Sequence, residues 1–476
     1  VTALVDHSPD APDADRSASA PELRRELTLF DGIAIAVGTT IGSAIYLIPS
    51  TIAAQLPSLA TVLLAWVIGG VLTVLGALSL AELASMYPGA GGLCIYLRHA
   101  YGRLTAFLYA WGLLFMIHSG SIAAVGVAFG LYAGQIFPLT TVQEKLVSAS
   151  MILLLTAISC LGIRSSKLVQ NVVATVKIGG LAAMILLVCI GGTRPLHFLE
   201  QGASASGHAL AFSVTGFGVA LVAILWAYEG WHLVSFVGSE MKKPQRDLPR
   251  SLFYGSLIVM TIYIVANVGY YHVLSPDEIR GSTAVAALAV GRLLGPIATK
   301  VISVLILVSI LGTLNGLILT GPRVYYAMAR DGAFLRAFAH VSERYRTPTV
   351  ALTVEGIWAS VLALSGSYEQ LFTDVIFTAW IFYGLAVGAV LVLRRREPQM
   401  ARSFRVPGCP WVPLLFCLAA AGLTVSTLIA RPVGSAIGLV FVAIGIPVYL
   451  FGSSLFLSVG DREVTTTAGD GMAKLP

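Results

Sequence analysis

The chain has 476 residues, 57% of them hydrophobic and 11% charged, against about 25% charged in an ordinary soluble protein. That composition excludes a soluble globular domain and points to a polytopic membrane protein. The formal charge of +6 does not indicate nucleic acid, because the basic residues bunch in short loops between apolar segments, where membrane topology explains them.

Residues 1–29 are polar, with Asp, Ser and Pro and no apolar centre of the signal-peptide kind. A disordered cytosolic tail is expected there. Beyond it, a membrane crossing needs roughly 20 mainly apolar residues, since every backbone polar group must be satisfied within the segment. Such segments lie at 31–54, 59–82, 104–133, 147–163, 171–191, 214–240, 252–274, 297–325, 350–367, 372–393, 411–430 and 435–458. Twelve crossings are therefore expected, the fourth and ninth short enough to need tilt or flanking residues. Residues 30–460 form the transmembrane domain and 461–476 a short cytosolic tail.

The first segment carries an oddity. In GTTIGSAIYLIPS, which begins at Gly38, the residues Gly38, Thr39, Thr40, Gly42 and Ser43 stand where a helix favours Leu or Ala. Either a weak helix packs closely through small residues, or the helix breaks and exposes backbone. The sixth segment repeats it: in LVAILWAYEGWHLVSFVGSEMKKP, Glu229 and Gly230 interrupt apolar sequence at a depth where a carboxylate is costly. Two interruptions at corresponding places favour the break. Unpaired N–H and C=O groups around Gly42, Ser43 and Ala44, and around Tyr228 to Gly230, would then line a cavity. Half-helix N-terminal ends suit a carboxylate and exposed carbonyls suit an ammonium, so a zwitterion fits the pair.

Orientation follows from Lys and Arg in short loops. One set of alternate loops holds Arg98 and Arg103; Arg164 and Lys167; Lys242, Lys243, Arg246 and Arg250; Arg330, Arg336, Arg344 and Arg346; and Arg394, Arg395, Arg396, Arg402 and Arg405. The other set offers chiefly Lys145, Arg194, Arg280, Arg292 and Arg431. Both termini are expected in the cytoplasm, with the chain in the plasma membrane. The five cysteines, at 94, 160, 189, 409 and 417, have no metal-ligand or thioredoxin-like spacing. Among the eight histidines, His118 is isolated and His232 lacks an HxxxH partner. No metal or cofactor is expected.

The chain resembles the L-type amino acid transporters of the amino acid-polyamine-organocation superfamily over about residues 25–460. The resemblance is carried by GTTIGSAIYLIPS, by GALSLAELASMYPGAGGLCIYLRHAYG between helices two and three, by AYEGWHLVSFVGSEMKKPQRDLPRS after the sixth-segment break, and by LGTLNGLILTGPRVYYAMARDG in helix eight. It implies an all-α polytopic membrane fold of about 12 transmembrane helices, with a 5+5 inverted repeat in which helices one and six are discontinuous.

The resemblance also implies roles. Thr40, Ile41, Gly42, Ser43 and Ala44 match the break that holds the substrate carboxylate, with Ala44 where the family usually has Gly, so a methyl group narrows or shifts that site. Trp226, Ala227, Tyr228, Glu229 and Gly230 match the break whose carbonyls take the ammonium, and Trp226 stands at the aromatic gate. An aromatic at such a place is also a common packing or interfacial residue. Glu229 stands where neutral-substrate members have a small residue and some members taking cationic amino acids or cystine have an acid. It either contacts substrate, couples protons, or pairs with an inward-facing base. Lys177 either snorkels to the cytosolic interface or replaces the sodium ion that coupled relatives hold beside the first break. Arg323 marks an inner gate or the interface, and Asn315 lines the path or joins helices.

The expected function is secondary transport of L-amino acids by sodium-independent exchange, with proton symport as the alternative. A channel or structural membrane protein is the rival class, but no filter-like repeat appears. Nor does a paired carboxylate, a His cluster or a nucleophile with its base suggest an enzyme. The expected partners are substrate and lipid. The stretch FPLTTVQEKL after helix three has no Cys, so a covalent heavy chain, which joins animal L-type light chains there, is not expected.

Overall fold

The computed structural model describes residues 27–87, 91–161, 163–199, 211–330, 332–342, 344–345 and 347–452. Among them the structure is helical throughout, apart from one isolated bridge between Leu27 and Met241. The helices run in order α1 (Leu29–Thr40), α2 (Ala44–Gln55), α3 (Leu59–Met86), α4 (Leu93–Tyr101), α5 (Arg103–Gly112), α6 (His118–Gly134), α7 (Thr141–Cys160), α8 (Ile163–Gly191) and α9 (Val214–Ala227). They continue as α10 (Pro244–Val273), α11 (Pro276–Arg280), α12 (Val285–Leu294), α13 (Pro296–Arg330), α14 (Thr349–Ser365), α15 (Tyr368–Arg396), α16 (Trp411–Ala430) and α17 (Pro432–Phe451).

Local sequence sets several starts. Thr28 with Asp31, Ser58 with Thr61 and Thr140 with Gln143 close capping boxes on α1, α3 and α7, satisfying orphan amides at each first turn. Residues 27–29, expected in the disordered tail, are ordered: Thr28 caps α1, and the Lys242 amide donates to the Leu27 carbonyl at 2.9 Å. The expected 461–476 tail lies outside the described residues.

Eight continuous helical runs among the described residues are long and apolar enough to cross a bilayer, and the bent pair α1–α2 makes a ninth. The expected crossings at 171–191, 214–240 and 350–367 rest on shorter apolar helices, Lys177–Gly191, Val214–Ala227 and Thr349–Ser365. Burial sorts centre from rim. The most apolar window of Arg103–Gly134 is 94% buried, whereas that of Pro432–Phe451 is 17% buried. The small residues of α6 permit this central position, since Gly, Ala and Ser let α7, α13, α14 and α15 approach its backbone. Large apolar side chains such as Ile190, Ile297, Ile429 and Phe451 face outward, which is stable against lipid and not against water.

Both anomalous segments are interrupted, in different ways. α1 and α2 meet at 49° across residues 41–43. α9 ends at Ala227, turns through 228–232 and continues as a 3₁₀ helix, Leu233–Glu240. The α-helix does not resume because Gly230 sits at φ 105°, outside the helical region. Three-residue turns then close from the Leu233 amide to the Gly230 carbonyl at 3.0 Å and from Ser235 to His232 at 2.9 Å.

Candidate functional site

The two interruptions face each other around one cavity. Its lining takes Thr39, Thr40, Gly42, Ser43 and Ala44 from the first, and Trp226, Glu229 and Gly230 from the second. The opposite wall is Leu113, Ile117, His118, Ser121 and Val125, with Thr313 and Leu317 of α13. Here the third long run departs from α geometry: Leu113–Ile117 is a π turn, and such turns open side-chain direction at functional sites. His118 stands just beyond it. Its Nε2 lies 2.9 Å from the Leu317 carbonyl, an acceptor only, so the ring carries its proton on Nε2.

The breaks are pinned to each other by backbone. Thr39 Oγ1 donates to the Gly230 carbonyl at 3.2 Å, and the Tyr263 hydroxyl on α10 lies 3.2 Å from the Thr40 carbonyl and 2.9 Å from that of Ala227. The single Tyr263 hydrogen lies between the two carbonyls and bridges the ends of α1 and α9 inside the protein. The first turn of α2 leaves the amides of Ser43, Ala44 and Ile45 with no i−4 partner in a helix, the usual state of an N-terminal end. Ser43 and Ala44 line the cavity, whereas Ile45 is in the core.

Three of the expected site residues turn away from it. Ile41 is buried in the core, Ala227 contributes its carbonyl to Tyr263, and the Tyr228 hydroxyl donates to the Trp66 carbonyl at 3.2 Å. Lys177 of α8 lies behind the first break: its Nζ donates to the Gly38 carbonyl and to Thr313 Oγ1, each at 2.9 Å. Asn315 is buried in α13 away from the cavity lining, and Arg323 is exposed.

Glu229 lines the cavity and accepts a 2.5 Å hydrogen bond from the Tyr383 hydroxyl of α15. His232 Nδ1 stands 3.8 Å from the same carboxyl oxygen, too far for a hydrogen bond. Trp226 closes another side: its ring stacks on Phe372 and its Nε1–H donates to Tyr368 Oη at 2.9 Å. Tyr368 Oη is also 3.3 Å from Ser43 Oγ.

A cavity flanked by an N-terminal helix end, an aromatic wall and a part-buried carboxyl has the make-up of a small-molecule site within a membrane bundle. The family model of the amino acid permeases matches residues 27–452. The chain belongs to that family. It is 33% identical to the "Serine/threonine exchanger SteT" of Bacillus subtilis (strain 168), over 90% of this chain and 96% of the relative. It is 31% identical to the human "b(0,+)-type amino acid transporter 1", over 86% and 84%, and 30% identical to the human "Large neutral amino acids transporter small subunit 2", over 93% and 83%.

The permease is a secondary amino acid transporter and a multi-pass membrane protein. Thr313, which lines the cavity, and several aromatics that hold the lining or the breaks from behind were not singled out by the linear sequence. Thr313 lies inside the LGTLNG stretch, two residues before Asn315. Tyr368 and Phe372 are four residues apart at the start of α15, and that spacing puts both rings on one helix face. Tyr263 and Tyr383 gave no such signal, as single aromatics in apolar helices.

Proposed function

We propose that the permease is a sodium-independent exchanger of L-amino acids, of the L-type group, with a broad range that admits cationic substrates. The position of Lys177 carries the reading. A fixed ammonium joins the last turn of α1 to α13 through Gly38 and Thr313, the place where the sequence resemblance puts an ion in sodium-coupled relatives. One positive charge held by the chain removes the need for a second from solution. A serine/threonine exchanger and a large neutral amino acids transporter among the relatives support exchange and neutral substrates.

In this reading the substrate carboxylate meets the α2 amides at Gly42, Ser43 and Ala44, while remaining carbonyls of the 228–230 turn receive the ammonium. Trp226 is the lid. Glu229 faces a cationic side chain or, when neutral, presents a hydrogen-bonding wall.

The same reading takes residues 30–460 as one domain of twelve crossings in a 5+5 inverted repeat. Two observations support the repeat. Gly102, between α4 and α5, has φ 92° and ψ −178°, and Gly295, between α12 and α13, has φ 85° and ψ −179°. α1 packs on α10 as α9 packs on α3, the exchange of partners that two interlocked repeats produce. Both termini are placed in the cytoplasm, and no covalent heavy chain is assigned.

Counterflow in proteoliposomes tests the function. Labelled L-leucine, L-serine or L-arginine should enter only when unlabelled amino acid is inside, with choline in place of sodium. Uptake into empty vesicles driven by an inward proton gradient would instead favour proton symport, with the part-buried Glu229–Tyr383 pair as the group to carry the proton.

A further inference from the structure

We propose that Tyr368 is a positioning residue for substrate recognition: it links the Trp226 lid to Ser43 and fixes the Ser43 hydroxyl as a donor toward the substrate carboxylate. The inference rests on the carboxylate reading of the first break, and deepens it.

The polarity of the chain follows from what each group can do. An indole N–H can only donate, so the 2.9 Å contact makes Tyr368 Oη the acceptor from Trp226. The phenol's own hydrogen then needs an acceptor, and Ser43 Oγ at 3.3 Å is the one that the described residues offer. Tyr368 is part-buried, and leaving its phenol hydrogen unpaired beside an available acceptor is unfavourable. Tyr368 therefore donates to Ser43. Ser43 is buried and makes no side-chain cap on α2, and its hydroxyl has no other hydrogen bond among the described residues, yet it lines the cavity. Its hydroxyl hydrogen is left over at a place where the α2 amides also point.

A carboxylate accepts and never donates, so a Ser43 locked as donor selects it. A carboxamide gains nothing from the lock, since its amide group can meet a hydroxyl of either polarity. The arrangement also ties recognition to closure: only with Trp226 in its closed place is the Tyr368 lone pair taken and its O–H directed at Ser43. Packing alone does not require the hydroxyl, because Phe372 already stacks on the Trp226 ring with centroids 6.1 Å apart.

The test uses purified permease in proteoliposomes, with the better transported of L-leucine and L-arginine as tracer. Inhibition by L-leucine is compared with L-leucinamide, and L-arginine with L-argininamide. Tyr368→Phe keeps the Ser43 hydroxyl but removes the neutral hydrogen bond that directs it, and should cut the preference for acid over amide about threefold. Ser43→Ala should cut it at least as much, and the double variant no further than Ser43→Ala. If Tyr368→Phe leaves the preference within twofold while Ser43→Ala lowers it, the relay is wrong and the carboxylate site stands. If Ser43→Ala leaves it unchanged, the relay falls whatever Tyr368→Phe does, and if Gly42→Leu also transports normally the carboxylate reading falls with it. Should Tyr368→Phe not purify as a monodisperse protein, Trp226→Phe decides: without the indole donor the preference should drop about threefold, and an unchanged preference overturns the proposal.

Discussion

Lys177 Nζ on α8 lies 2.9 Å from the Gly38 carbonyl in the last turn of α1. Its other partner, Thr313 Oγ1, belongs to α13, so one side chain spans three elements beside the first break. Transport should persist when choline replaces sodium. Lys177→Ala should slow exchange more than tenfold, because the Gly38 carbonyl and Thr313 lose a charge-assisted donor worth about 1.5–3 kcal/mol. Lys177→Arg keeps the charge and should be milder. Initial rates of counterflow measure all three, and a strict sodium requirement in the unmodified protein would sink the reading.

Gly230 and Gly42 should answer substitution differently. A Cβ on Gly230 would stand 2.8 Å from the Thr39 carbonyl oxygen, at φ 105°, so Gly230→Ala strains the backbone and pushes the two breaks apart. A loss of about 1–3 kcal/mol is expected, seen as a lowered melting temperature in detergent. At Gly42 the nearest atom to a Cβ is Thr313 Cγ2 at 3.5 Å, an ordinary contact. Gly42→Ala should therefore stay within about 0.5 kcal/mol, whereas Gly42→Leu should insert normally and abolish uptake by filling the cavity. Normal transport by Gly42→Leu would place the substrate elsewhere.

These contrasts show what was legible beforehand. The first break could be read because Gly, Thr and Ser crowd an apolar span where each weakens a helix. The 3₁₀ course of Leu233–Glu240 could not, since its apolar residues suit either helix and the φ of Gly230 decides the path. Contiguous motifs also overstate a lining: along 40–44 and 226–230 the backbone turns, and Ile41, Ala227 and Tyr228 point into the core. Tyr368 meets Ser43 across 325 residues and Tyr383 meets Glu229 across 154. No local pattern marks such pairs, because an aromatic in an apolar helix looks the same whether its hydroxyl reaches a site or an interface.

The end of α3 is tied to the loop after α15 by one carboxylate. Glu82 is buried and accepts from Arg394 Nε at 2.8 Å and Nη2 at 2.6 Å, and from the Val406 amide at 2.7 Å. Arg402, itself 4% exposed, places Nε 3.3 Å from the same group. Glu82→Ala leaves a buried guanidinium and an amide without that acceptor, at a cost of about 3 kcal/mol. The expected result is a lower melting temperature and earlier proteolysis within 397–410. Unchanged protease resistance would mean that the loop is held by its other contacts, such as Tyr87 to Glu397 at 2.6 Å.

Topology can be read with single cysteines in a background free of the native five. The bridge from Leu27 to Met241 places the start of α1 and the 241–243 turn on one face, which the Lys and Arg distribution assigns to the cytoplasm. Val142 is 67% exposed at the start of α7. Val142→Cys should react with an impermeant thiol reagent added outside cells, and Lys243→Cys only after permeabilisation. The reverse pattern would invert the assignment.

Substrate class turns on Glu229. Its carboxyl lines the cavity, and the Tyr383 hydroxyl donates to it at 2.5 Å. One oxygen is thus engaged from α15, and the Gly230 amide also meets the carboxyl, which orients the group at the cavity. An ionised carboxylate here compensates the buried charge of a cationic side chain, and a neutral one offers hydrogen bonds alone. Competition by Arg, Leu, Ala and Glu at pH 6 and 8, in the unmodified permease and in Glu229→Gln, separates the cases. For direct contact, Arg inhibition should fall about tenfold or more in Glu229→Gln while Leu inhibition is kept. An unchanged preference would remove Glu229 from specificity. A change confined to the pH dependence, with Arg and Leu moving together, would instead make the carboxyl a proton carrier, because protonation would then alter turnover for every substrate rather than selection among them. Tyr383→Phe refines the answer: it frees the carboxyl without removing its charge, so under direct contact Arg inhibition should weaken less than in Glu229→Gln.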